Sequence, residues 1–294
     1  MPVALEIMGL KAQSLDVSVM ELSWAVRDTT EDTYDYTFQV LRSESPEGPW
    51  DPITEPFEDQ YYFIDSRLPA GPKWQTLFYQ IKVVHKASQD VSIFGPVARG
   101  PKPDLVANYI RRSEQTLFKR ITGRTCWVFP RRTFGSRCPS CWDSKLMAKK
   151  RSGCLTCYDT GYLRGYLDPM ACAIQIDPGT KSLQSNTQQQ DQQNQTSARM
   201  TSYPPIKPMD LIVEGENRRW RVTGVTPSER LRAVIKQELI IREIQPTDIE
   251  FKLPINIADL QEHQPSPGQM FTNPKNLQNT GTEDYIDAFG IFNR

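Results

Sequence analysis

Short runs of alternating apolar and polar positions recur along the chain, each closed by turn-forming residues. The alternation of Val17-Ser-Val-Met-Glu-Leu-Ser-Trp24 predicts a strand, with Val17, Val19, Leu22 and Trp24 as core candidates. Its alternation breaks at Met20-Glu21, which predicts a bulge or a change of register there. Tyr34 to Leu41 alternates again, with Tyr34, Tyr36, Phe38 and Val40 on one face. Ser43-Glu-Ser-Pro-Glu-Gly48 is turn chemistry. Tyr61–Asp65 and Leu77–Val84 follow, separated by a loop with Pro69, Gly71 and Pro72. Short strands with turns between them predict an antiparallel β-sandwich over residues 1–98.

The period then changes. Phe94 to Pro103 is rich in Pro and Gly and marks a boundary, and residues 99–123 read as a linker and one helix. Asp104 is placed to cap that helix and Gly123 to end it. Val106, Tyr109, Ile110, Leu117, Phe118 and Ile121 make an apolar stripe at helical spacing, expected to pack on the next module or on a neighbouring subunit. Arg111, Arg112, Lys119 and Arg120 are expected on the other face.

Residues 124–181 carry Cys138-Pro-Ser-Cys141 and Cys154-Leu-Thr-Cys157. Two Cys-x-x-Cys knuckles joined by a hairpin bring four sulfurs to one ion. This predicts a tetrahedral Zn²⁺ site with Cys138, Cys141, Cys154 and Cys157 as ligands. Four protein ligands leave no position for a reacting water, so the expected role of the metal is structural. Two disulfides, or four unrelated thiols, are the competing explanations. In Tyr158-Asp-Thr-Gly-Tyr-Leu-Arg-Gly-Tyr166, Gly161 is placed for a positive φ, with a short strand Tyr162–Tyr166 leaving the metal. Cys126 and Cys172 flank the module as spare ligands, a facing pair or, the favoured reading, small buried apolar residues. His85 and His263 lie far from the knuckles and in no recognisable catalytic pattern.

Basic residues far outnumber acidic ones between Arg111 and Arg164. Arg131, Arg132, Arg137, Lys149, Lys150 and Arg151 are the candidate phosphate or partner contacts, with Lys145 beside them. A solvated face, or an interface to an acidic neighbour, explains the same excess and is favoured over nucleic acid.

Residues 182–203 are dominated by Gln, Asn, Ser and Thr and are expected to form a flexible polar arm, because they bury too little apolar area to order alone. Residues 204–258 return to alternation and predict a small antiparallel barrel-like unit, with Leu211, Val213, Trp220, Val222, Ala233, Ile235, Leu239 and Ile241 inside. Residues 259–294 read as an extended arm with an aromatic tip, Tyr285-Ile-Asp-Ala-Phe-Gly-Ile-Phe292, suited to docking on another subunit.

The fold class expected is therefore mainly β: a sandwich, one linker helix, a four-cysteine zinc module, a small antiparallel barrel-like unit and extended arms. The length of 294 residues fits two or three such domains. The 35 basic and 35 acidic side chains cancel, which argues against a general polyanion binder. The 23 prolines favour strands, turns and extended arms over long helices. No charged-then-apolar leader opens the chain, and no apolar run approaches the roughly 20 residues of a membrane span. Thiols at metal spacing suit a reducing cytoplasm.

Two resemblances extend this reading. The N-terminal segment resembles a fibronectin type III domain through Trp24, the Tyr36–Arg42 strand leading into Ser-Glu-Ser-Pro-Glu-Gly-Pro-Trp50, Asp65 before Leu68, and Leu77–Val84. Leu77 stands where that family often carries a corner tyrosine, and Tyr79 is the candidate to replace it. Residues 204–255 resemble a connector-type β module of tailed bacteriophages. The pattern is an Asp210-Leu-Ile entry, a turn at Gly215, Arg219-Trp-Arg-Val-Thr-Gly-Val225, and a long strand ending Arg242-Glu-Ile-Gln-Pro-Thr-Asp-Ile249. That resemblance implies a non-enzymatic virion structural protein at the head–tail junction (neck, connector or collar), assembled in the host cytoplasm. It would form a homo-oligomeric ring among portal-side or tail-side virion proteins, with possible DNA contact and no membrane. A zinc-ribbon nucleic-acid-binding protein and a baseplate or tail-fibre attachment protein are the alternatives. No nucleophile elbow, phosphate loop or paired-carboxylate context is recognisable in the sequence.

Overall fold

The computed structural model describes residues 5–15, 19–66, 77–99, 104–178, 180–186, 189–231, 233–257 and 260, with the side chains of 180–186 and 189–193 excepted. Val17, the Pro69–Pro72 loop, His263 and the C-terminal arm from 261 lie outside the described residues.

Among the described residues, seven strands form the N-terminal unit: β1 (Ile7–Ser14), β2 (Met20–Val26), β3 (Tyr36–Ser43), β4 (Asp51–Pro52), β5 (Tyr62–Asp65), β6 (Phe78–His85) and β7 (Val91–Ala98). They make two antiparallel sheets, β1-β2-β5 and β4-β3-β6-β7. The inward positions of both sheets share one core with Met20, Leu22, Trp24, Tyr36, Phe38, Val40, Phe63, Tyr79, Ile81 and Val83. Tyr34 differs from its expected place. It lies in a 3-10 turn before β3, under the Arg164 guanidinium at 3.7 Å. Tyr79 donates to the Asp65 carboxylate at 3.1 Å and ties β6 to the end of β5.

The break at Met20-Glu21 has a different cause from the expected bulge. The β2–β5 register runs without a shift, and the irregularity lies in β1 between Met8 and Lys11. Alternation fails at Met20-Glu21 because both faces of β2 are covered there. Met20 and Leu22 point into the sandwich, while Val19 and Ile64 pack on Tyr203 from the second half of the chain.

Glu21 sits at this junction with 9% of its surface exposed. Burial lifts its carboxyl from the ordinary 4.5 to about 7, against the opposing effect of a hydrogen bond with Tyr203. The native state thus holds a proton that the unfolded chain releases earlier. Stability from this group is complete below pH 4.5 and is lost as pH rises through about 7. Melting temperatures at pH 5 and pH 8 should differ less for Glu21→Gln than for the native chain. Equal differences would refute the assignment.

The second unit is a closed barrel of six antiparallel strands. They are β8 (Arg124–Phe129), β11 (Met170–Ile176), β13 (Gln189–Thr201), β14 (Leu211–Glu214), β15 (Arg219–Arg230) and β16 (Ala233–Glu243), in the order β11-β8-β14-β15-β16-β13. Closure comes from β11 against β13, Ile174 opposite Met200 and Ile176 opposite Ala198. Two short strands, β9 (Trp142–Asp143) and β10 (Ala148–Lys149), pair in the insertion between β8 and β11. β12 (Thr180–Asn186) pairs with β13 as a hairpin.

This arrangement redraws the expected segmentation. β8 and β11, assigned from sequence to the 124–181 module, are staves of the same barrel as residues 204–258. The 182–203 stretch is not simply an arm. Ala198 and Met200 face the barrel interior, and strand pairing through Thr201 satisfies the backbone of this polar sequence. The interior also holds Cys126, Val128, Cys172, Ile174, Ile212, Trp220, Val222, Leu239 and Ile241. Leu211 and Val213, expected inside, belong to the outer face with Trp127, Phe129 and Ile244, where Phe251 and Leu253 cover them. Both faces of β14 are apolar, so alternation could not choose between them. Ile235 is half-buried, and Gln237 takes an inward position, bonding Thr201 O, Pro204 O and the Ile206 amide.

Helix α1 (Leu105–Leu117) continues as one π turn to Thr122 and stops at Gly123. A Cβ at Gly123 would meet Phe118 O at 2.3 Å, so no other residue allows this close exit. The helix lies on the barrel through Ala107, Asn108 and Phe118, all buried. Arg111 reaches inward, donating to Val234 O at 2.6 Å and to Leu15 O at 2.9 Å. The expected faces hold only in part: Phe118 of the apolar stripe is buried and Arg120 is exposed as expected, but Val106, Tyr109, Leu117 and Ile121 point to solvent. No helix among the described residues is long and apolar enough to cross a membrane.

Candidate metal centre

The insertion between β8 and β11 folds around Cys138, Cys141, Cys154 and Cys157. All four are buried, and their sulfurs lie within 4.8 Å of one another. Cys138 Sγ is 3.9 Å from Cys154 Sγ, and Cys141 Sγ is 3.3 Å from Cys157 Sγ. A tetrahedral thiolate site with bonds of about 2.3 Å sets sulfur–sulfur distances of about 3.8 Å. The cluster fits that, and its spacing is far longer than the ~2.05 Å of a disulfide. The thiols are unbridged.

Backbone geometry presents the sulfurs. The Cys138 amide bonds Gly161 O at 3.0 Å, and Cys141 O accepts the Lys150 amide at 2.8 Å, so the first knuckle is pinned both to the turn after the second knuckle and to the β9–β10 hairpin. The Asp159 carboxylate accepts the amides of Gly153 and Cys154 at 3.0 and 3.1 Å and shapes the second knuckle. Gly161 has the positive φ expected of it, +84°. Gly165 has φ +72°, and a Cβ there would strike Cys157 O at 2.7 Å. Tyr162–Tyr166 is not a continuous strand. Only its ends form bridges, to Arg137 and Arg131, because the chain turns at Leu163-Arg164-Gly165.

The electrostatics suit a cation. Burial raises the Cys154 thiol, yet the Thr156 and Cys157 amides and the neighbouring thiols outweigh it and bring the group down to about 7. Cys141 is pushed up, first by burial and then by the Cys157, Cys138 and Cys154 thiols around it. Four sulfurs so crowded cannot all ionise without a positive charge between them. Cys126 and Cys172 are no part of this site. They face each other across β8 and β11 inside the barrel, where burial lifts Cys126 to about 12 and Cys172 well above its ordinary value.

The candidate phosphate contacts separate on the structure. Arg132 is 3% exposed and forms a buried ion pair with Asp59 of the sandwich, so it faces the interior. Arg137 pairs with Asp28 and is stacked on Trp142 at 3.8 Å and Tyr162 at 4.2 Å. Arg131 Nη2 donates to Asp159 O at 3.4 Å, and its amide bonds the Asp210 carboxylate at 2.8 Å. Lys149 donates to Asp159 O, and Lys150 lies 3.6 Å from Asp143. Arg151 is exposed. Arg164, not singled out from sequence, pairs with Asp32 at 2.8 Å. The acidic neighbour that absorbs much of this charge is the chain's own sandwich, through Asp28, Asp32 and Asp59. The cluster of acids at Asp28, Glu31, Asp32 and Asp35 was the one sequence signal for it.

The same junction is apolar at its centre. Phe134 packs edge-on against Tyr61 at 4.9 Å, and Phe134 and Leu167 join the sandwich core. The Arg137 amide bonds Thr29 O at 2.9 Å, and the Thr33 amide bonds Ser136 Oγ at 2.9 Å. The four-thiol module is thus inserted in the barrel and braced against the sandwich. Comparison with protein-family models and with curated proteins finds no match to this chain, so the metal site is assigned from its own geometry alone.

Proposed function

We propose that the protein is a non-enzymatic structural subunit of a tailed-phage virion at the head–tail junction, whose metal is a structural Zn²⁺. One observation carries the structural role. A centre with only cysteine donors lies in an insertion that springs from barrel strands β8 and β11 and is clamped to the sandwich by Arg132–Asp59, Arg137–Asp28 and Arg164–Asp32. Four thiolates in tetrahedral spacing suit zinc, which has no redox chemistry of its own. The metal stabilises a module too small to bury its own core.

The phage location is supported by the connector-like pattern of residues 204–255, which forms half of the barrel. Assembly into a ring is supported by the β12–β13 hairpin. Among the described residues β12 pairs with β13 alone, leaving a backbone edge free to accept a strand from a neighbour. Native mass measurement and metal analysis on one sample test the reading together. The expected result is a defined oligomer carrying one zinc per chain. A folded, metal-free monomer overturns it.

A nucleic-acid-binding reading keeps one specific support, the exposed tip formed by Lys145, Lys149, Lys150 and Arg151. Full-length protein that binds duplex DNA with an affinity falling steeply between about 50 and 200 mM salt would favour it.

A further inference from the structure

The outward face of α1 is the reverse of what a helix on a barrel ordinarily presents. Leu105 is 69% exposed, Tyr109 73% and Ile121 76%, with Val106 and Leu117 between them. Positions 105, 109, 113, 117 and 121 follow one another at i, i+4 spacing, so these side chains form one stripe along the helix and its π turn. The buried residues Ala107, Asn108 and Phe118 lie on the opposite side, against the barrel. The stripe is flanked by Arg112, Lys119 and Arg120. Burial, with Arg120 beside it as the smaller cause, depresses the Lys119 ammonium to about 8.

The chain carries a segment with the complementary pattern. After Leu260, residues 261–294 lie outside the described fold. Within them, Tyr285, Phe289 and Phe292 stand at i, i+4 and i+7, joined by Ile286, and Glu283, Asp284 and Asp287 surround them with no basic residue before Arg294. Three aromatic anchors on one helical face suit an apolar helical stripe, and the acids match its basic flank. Reach is ample. Residues 261–284 extend to about 80 Å at ~3.3 Å each, more than the roughly 45–50 Å across a compact fold of this length.

We propose that the Leu105–Tyr109–Leu117–Ile121 stripe of α1 is the seat of the chain's own segment 283–292. The inference does not depend on the virion reading. It concerns how the arm is held, whatever the protein assembles into.

Hydrogen–deuterium exchange on the full chain tests it. Amides 285–292 should exchange at least tenfold more slowly than in a free peptide of the same sequence. Tyr109→Asp with Ile121→Asp, both at exposed positions, should return them to the peptide rate while the barrel amides stay protected. Phe289→Asp should do the same from the other side of the contact. Three results overturn the proposal: peptide-rate exchange of 285–292 in the unaltered chain at every concentration tried; protection that survives the α1 substitutions; or a dimer that the α1 substitutions dissociate while 285–292 exchange freely, which assigns the stripe to a second copy's helix.

Discussion

Arg132→Ala should lower the stability of the whole chain by about 3–5 kcal/mol, the usual consequence of removing one partner from a buried ion pair. Asp59 shows why. Its carboxylate is 5% exposed and accepts from two Arg132 nitrogens, from Tyr61 OH at 2.9 Å and from Thr33 Oγ1 at 3.1 Å. Arg132 in turn donates through Nε to Tyr166 O at 3.2 Å. Removing the guanidinium strands a carboxylate with only two neutral donors, in a place water does not reach. Asp59→Ala strands the guanidinium and should cost a similar amount. The double variant Arg132→Met with Asp59→Leu should recover part of the loss but not all, because Thr33, Tyr61 and Tyr166 keep polar atoms that have lost partners. Urea unfolding of the native chain, Arg132→Met, Asp59→Leu and their double variant closes the cycle and measures the coupling directly. Additive single losses, or a loss under about 1 kcal/mol for Arg132→Ala, would show that the pair does not brace the junction. Metal content should be unchanged throughout, since the four cysteines form a separate cluster.

Cys141→Ser should have the larger local effect. Apparent binding free energies of structural zinc sites in small domains are about 10–16 kcal/mol and count as folding free energy, so a missing thiolate removes most of what orders the module. The expected region of loss runs from about residue 130 to 168 and no further, because Cys126 and Cys172 beyond it are held by barrel pairing. Lys145, Lys149, Lys150 and Arg151 sit on the exposed hairpin and supply trypsin sites. Cleavage there should accelerate at least tenfold in Cys141→Ser, and in the native chain treated with chelator. The sandwich should stay folded but melt lower, since Phe134 and Leu167 complete its core. Equal trypsin resistance with and without chelator would remove the metal from the account.

Much of this was legible from residue order because it is local. A Cys-x-x-Cys knuckle sets its two sulfurs by the geometry of a single turn, so the four-thiol cluster follows from spacing. Tyr36, Phe38 and Val40, like Tyr79, Ile81 and Val83, alternate on strands with one buried face, and a period of two then names the core. Alternation misled where that condition failed. β14 is covered on both sides, so Leu211 and Val213, expected inside the barrel, lie on its outer face. β2 is covered on both sides too, and there Val19 is buried as expected, but against Tyr203. Composition alone makes the Gln-rich stretch an arm, because it says nothing of the backbone pairing that draws Ala198 and Met200 into the barrel.

The amino-acid order by itself determined the types of element, their turns, and the four thiols that converge. Those depend on contacts a few residues apart. Only the tertiary structure decided that β8 and β11 close a barrel with β13–β16, that Arg132 turns inward to Asp59, and that the apolar stripe of α1 faces out. Each depends on which distant surface a side chain meets. Periodicity along one segment records that a face is apolar, but holds no information about what lies opposite it.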